Sequence, residues 1–111
     1  MTRVEVFKRL DGVYTGISCS GHAGYAEEGK DIVCAAISVL VNTALNSIEQ
    51  FSSAKLDVQM DEANAVIKAT IKEADSKCAL IIDSMVLGLQ NVQSTYGKEF
   101  LKLDVKIKKE V

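Results

Sequence analysis

The chain contains no proline, and no stretch rich in serine and glycine that would serve as a linker, so nothing marks a domain boundary. One domain over residues 1–111 is expected. Cysteine is sparse. Cys19, Cys34 and Cys78 are an odd number with no C-x-x-C pair, which argues against a disulfide framework or a zinc ribbon. Charge of one sign is not in excess either: 13 basic against 15 acidic residues leave a net charge of −2. General nucleic-acid or anionic-membrane binding needs a cationic surface, so neither is expected. Long apolar runs are missing too. The opening Met1-Thr2-Arg3-Val4-Glu5-Val6 has no apolar core of a signal peptide. The longest apolar run, Ile32 to Val41, is broken by Ser38 and falls short of the roughly 20 residues of a membrane span. The expectation is a cytoplasmic protein with reduced thiols, without membrane attachment.

Apolar residues at 48% and charged residues at 25% are a globular balance. Residues 3–8 and 13–20 read as two strands joined by a turn at Asp11-Gly12, with Val13, Thr15, Ile17 and Cys19 on the inward face of the second. A glycine- and charge-rich stretch follows. A helix then runs from about Ile32 to Gln50, with Val33, Ile37, Leu40, Ala44 and Ile48 on one stripe and Cys34, Ser38, Val41 and Leu45 beside it. Residues 55–60 and 64–72 form a second hairpin, and a second helix covers about Ser76 to Thr95, with Gly97 as its stop. The last strand alternates, with Leu101, Leu103, Val105 and Ile107 inward and Lys102, Asp104, Lys106 and Lys108 outward. The order ββα-ββα-β predicts a two-layer α+β domain, with two helices packed on one face of a mostly antiparallel sheet.

Both helices open with Asp-x-x-Cys, Asp31 to Cys34 and Asp75 to Cys78, the simplest account being a favoured N-cap followed by a small apolar residue. The strand-to-helix connections differ: about three residues before the second helix, about ten before the first. Extra length in a glycine-rich loop feeding a helix N-terminus is where function tends to sit. This loop holds the single histidine, His22. With Asp31 as N-cap, Cys34 stands at the third helical position, where the positive helix end favours a thiolate. A nearby neutral imidazole would take the thiol proton, giving the pair that nucleophilic attack on a carbonyl requires. Gly24 and Gly29 relieve the backbone between the two. The plain alternative is that Cys34, like Cys19 and Cys78, is a small packed hydrophobe. One histidine and one well-placed cysteine are too few ligands for tetrahedral zinc, and no cofactor is expected.

Gly21-His22-Ala23-Gly24-Tyr25-Ala26, followed by Gly29-x-Asp31-Ile32-Val33-Cys34-Ala35-Ala36-Ile37-Ser38, closely resembles the signature segments of the bacterial ribosomal-processing cysteine proteases. The resemblance extends over the whole chain in size and element order. It implies a compact α+β homodimer that cleaves peptide bonds with a Cys–His dyad and removes a short N-terminal extension from a large-subunit ribosomal protein precursor, cutting after an aromatic pair. Cys34 matches the nucleophile and His22 the general base and acid. Asp31 and Ser38 match other recurrent positions. Capping the helix and orienting His22 are both open to Asp31, and Ser38 lies one turn beyond Cys34 on the same face. Gly21 supports the turn; Ala23, Gly24, Tyr25 and Gly29 would form a mobile substrate loop, with Tyr25 as its bulky anchor.

A second expectation for function is a non-enzymatic ribosome-associated adaptor whose loop grips a partner. RNA contact through Lys102, Lys106, Lys108 and Lys109 is weaker, since no aromatic stacking platform accompanies those charges. A homodimer has its own physical motive: helix 32–50 is apolar over more of its circumference than one small sheet covers, with Val39, Val41 and Leu45 in surplus.

Overall fold

The computed structural model describes residues 1–27 and 30–107. Glu28, Gly29, Lys108 and Lys109 therefore lie outside the described residues, with the expectations placed on them. Among the described residues, five strands and two helices follow one another as β1 (Thr2–Lys8), β2 (Tyr14–Ser20), α1 (Ile32–Phe51), β3 (Lys55–Asp61), β4 (Val66–Lys72), α2 (Ser76–Tyr96) and β5 (Leu101–Ile107). The sheet order is β3-β4-β2-β1-β5. Only the β1–β5 pair is parallel; the other three pairs are antiparallel. A parallel neighbour cannot be reached by a tight turn, and α2 is the crossover that carries the chain from β4 to β5.

Alternation assigns the faces. Thr2, Val4 and Val6 of β1, Ile17 of β2, Ala69 and Ile71 of β4 and Leu101 of β5 are buried on one side of the sheet. Glu5, Phe7, Thr15, Ser18, Lys68 and Thr70 line a shallow hollow on the other. The helices cover the first side: Val33, Ile37, Val41, Ala44, Leu45 and Ile48 of α1 are buried, as are Cys78, Ile82, Met85, Leu89 and Val92 of α2. Each large aliphatic side chain so buried stabilises the fold by about 1.5–3 kcal/mol. By length and composition α1 is apolar enough to cross a membrane, but here its apolar arc packs within the domain core.

Three expectations need correction. In β2 the register shifts between Phe7 and Lys8, which pair with Gly16 and Tyr14, so Thr15 is an extra residue. A bulge of this kind reverses the faces on one side of it. Tyr14, rather than Val13 and Thr15, therefore packs against the core, and its hydroxyl donates to Asp83 of α2. In β5 only Leu101 is buried and Leu103 partly so, while Val105 and Ile107 are exposed, because the strand runs on past the helix layer. In α1, Val41 and Leu45 are buried within the chain, and only Val39 of the three surplus residues is exposed, at 64%.

Candidate active site

The site grows from the end of β2. Gly21 has φ +85°, and a Cβ there would stand 2.9 Å from the Met1 carbonyl oxygen, so the turn out of the strand requires glycine. The Gly21 N–H donates to the Ala65 carbonyl at 3.0 Å, tying this turn to the loop between β3 and β4. His22 follows, exposed. Ala23 is 2% exposed and belongs to the core. Its small apolar side chain, between His22 and Gly24, anchors this end of the loop in the core. Gly24 takes φ +76° in open space.

Asp31 organises the entry to α1. One carboxylate oxygen accepts from the Cys34 N–H at 2.9 Å, the N-cap bond. The other accepts from Tyr25 N–H at 2.9 Å and from Ala26 N–H at 3.3 Å. Of the two roles open to it, Asp31 takes the cap; its oxygens meet backbone N–H groups rather than His22. The Cys34 N–H is thereby committed and is not a free oxyanion donor. Tyr25 is also not a loose anchor. Its ring meets Tyr96 and Phe100 edge-on, with centroids 5.6 and 5.1 Å apart, so the loop is held at both its ring and its backbone.

Asp75 repeats the device at α2. It caps the Cys78 N–H at 2.8 Å and accepts from Ser53 N–H at 2.9 Å. The Asp-x-x-Cys echo is therefore a shared cap geometry. What differs is where the sulfur lies: Cys78 is fully buried, whereas Cys34 opens on two cavities.

Those cavities decide what the site can do. One, of about 230 Å³, is lined by His22, Cys34 and Ser38 together with Thr2, Cys19, Ile37 and residues 60–62 and 65–67 of the β3–β4 hairpin. The other, of about 490 Å³, is lined by His22, Gly24, Ala26, Asp31, Cys34, Ala35 and Ser38. The structure thus brings His22, Cys34 and Ser38 together, with Gly21 at one flank and Gly24 and Asp31 at the other; Tyr25 lines neither cavity. A thiol and an imidazole at the junction of two hollows form a cleft across which an extended chain can lie. The hairpin wall, including Met60 and Ile67, carries no signal in sequence, because it reaches the site only through pairing of β2 with β4.

Comparisons with known proteins cover nearly all of the chain and identify its family and fold. Residues 1–101 match the family model described as cysteine protease Prp. The chain belongs to the cysteine protease Prp family. Two ribosomal processing cysteine proteases Prp illustrate the relation. The protein from Staphylococcus aureus is 27% identical over 107 residues, covering 96% of this chain and 100% of that one. The protein from Bacillus subtilis is 29% identical over 112 residues, covering 96% and 99%. Among solved structures, the S. aureus protease Prp with a covalently linked product peptide superposes with a TM-score of 0.88 at 27% identity, covering 96% of this chain and 100% of that one. The same protease with a substrate peptide gives 0.83 at 26%, with the same coverage. As a Prp-family member the chain is a cysteine protease, a hydrolase of peptide bonds, on the expected α+β fold.

Charge at the Asp31 cap has a measurable consequence. Partial desolvation pushes the Asp31 carboxyl up, but N–H donors from Cys34, Ala26, Tyr25 and Val33 together hold it below its ordinary value of 3.8. A lowered folded-state pKa means that this stabilisation is complete above 3.8 and is lost as pH falls through the folded-state value. Asp31→Asn keeps a cap acceptor and removes the charge. Thermal melts should show Asp31→Asn below wild type at pH 7, with the gap narrowing as pH falls below 3.8; a gap independent of pH would contradict the assignment.

Proposed function

We propose that this protease removes the short N-terminal extension of a large-subunit ribosomal protein precursor, with Cys34 as nucleophile and His22 as general base and acid. The observation that carries the proposal is the shared position of both side chains at the junction of the two cavities. A peptide spanning both hollows presents its scissile carbonyl to Cys34. His22 takes the thiol proton, the sulfur attacks the carbonyl carbon, and the imidazolium then protonates the departing amine. Water, activated by the same imidazole, hydrolyses the thioester. Asp31 positions the first turn of α1 and the loop through three backbone N–H groups, and Ser38 offers a hydroxyl in both cavities that Cys34 lines. The names of the relatives, ribosomal processing proteases with substrate and product peptides bound in the S. aureus case, support the substrate class.

The working form is a homodimer in the cytoplasm. Its interface is the outer side of the helix pair, where Val39, Leu40, Leu80 and Ile81 line an apolar groove. Ile32 and Val39 are seven residues apart, as are Leu80 and Leu87; each pair shares a helix face two turns on, and all four are exposed.

The deciding experiment incubates the protein with an N-terminally extended ribosomal-protein precursor and measures product mass, expecting one cut that releases the extension. The adaptor alternative is separated by alkylation. Iodoacetamide at neutral pH should label Cys34 much faster than Cys19 or Cys78; equal, slow labelling of all three, with no cut, favours the adaptor.

A further inference from the structure

Cys19 has no part in the reaction above, yet it opens into the same cavity as Cys34. It lies near the end of β2, paired with Val4 and Ile67 across the neighbouring strands, and it belongs with Cys34 among the side chains packed on the core. The two thiols and His22 line the hollow of about 230 Å³. Cys78 lines neither cavity and is wholly buried on α2. No disulfide joins any of the three.

We infer that Cys19 is a resolving thiol for Cys34, so that a hydroperoxide converts the pair into an intramolecular disulfide that closes the site reversibly. The inference rests on reading Cys34 as the reactive thiolate. The steps balance. The Cys34 thiolate attacks one peroxide oxygen; an S–O bond forms, the O–O bond breaks, and hydroxide leaves. Cys19 gives up its proton and attacks the Cys34 sulfur; an S–S bond forms, the S–O bond breaks, and the second oxygen leaves as water. Two thiols lose two electrons, and the peroxide becomes two waters. The order of events follows from the environments. Burial first, and the neighbouring Cys34 charge second, push the Cys19 thiol up to about 11. Cys19 therefore stays protonated, adds no like charge beside the thiolate, and is not itself the site of first oxidation.

The test treats the native protein with hydrogen peroxide and follows intact mass, non-reducing peptide maps and cleavage relative to each untreated sample. Wild type should lose about 2 Da, two hydrogens, yield a Cys19–Cys34 peptide, and regain activity with dithiothreitol. Cys19→Ala and Cys19→Ser should instead gain about 32 Da or more at Cys34 as sulfinic acid, beyond the reach of dithiothreitol. If wild type and both variants oxidise alike with no loss of about 2 Da, or if the link joins Cys34 of two copies, the inference is overturned while selective iodoacetamide labelling leaves the protease reading intact. Uniform slow oxidation of all three cysteines, with uniform labelling, overturns both.

Discussion

Cys34→Ala and His22→Ala should each lower precursor cleavage by at least ~10³-fold, and the double variant should be little worse than either, since members of one catalytic unit act non-additively. Folding should survive both changes. Cys34 is only half-buried and stands beside Ala35 and Ala36, so the loss of its sulfur leaves a small void, and His22 is exposed. Melting temperatures close to wild type, beside abolished cleavage, would separate chemistry from stability. Cys34→Ser should fail as well, because a hydroxyl holds its proton far more tightly than an imidazole can take it. Full cleavage by Cys34→Ala would end the dyad assignment outright.

Leu80→Glu should convert a dimer into a monomer. In an isolated chain this change is nearly neutral, because Leu80 is 70% exposed on α2. In a two-fold interface through the outer helix face, the same change buries an unpaired carboxylate, at about 3–5 kcal/mol, and symmetry places one on each copy. The dissociation constant should rise by at least ~10³-fold on those figures. Thr70→Glu, on the open face of the sheet, is the control and should leave association unchanged. Sedimentation at micromolar concentration should give about twice 12.0 kDa for wild type and Thr70→Glu, and 12.0 kDa for Leu80→Glu. A wild-type monomer would contradict the dimer; a Leu80→Glu dimer would move the interface elsewhere.

Local chemistry explains why so much of this molecule is legible in one dimension. Helix periodicity, strand alternation and turn residues each depend on neighbours within a few positions, so ββα-ββα-β emerges with boundaries displaced by only a residue or two. The caps are local too: Asp31 and Asp75 reach an N–H three residues on, and the pattern Asp-x-x-Cys already contains that bond. Gly97 closes α2, its N–H donating to the Gln93 carbonyl at 2.9 Å.

What the chain order and side-chain types determined by themselves was the element sequence and the capped first turn that carries Cys34, with a lone histidine in the loop before it. Tertiary structure alone decided the rest. One extra residue at Thr15 reverses the face of β2, and no composition or period announces a bulge of a single residue. The β2–β4 pairing raises the hairpin wall beside Cys34, and residues 60–67 stand far from residues 22–38 along the chain. Tyr25 finds Tyr96 and Phe100 only because the end of α2 and the connection leading into β5 arrive beside the loop. Cys19 and Cys78 are alike as inward-facing apolar positions, yet only one shares a cavity with Cys34. Such contacts join segments far apart in the chain, and their register is set by packing of whole layers rather than by any neighbour in sequence.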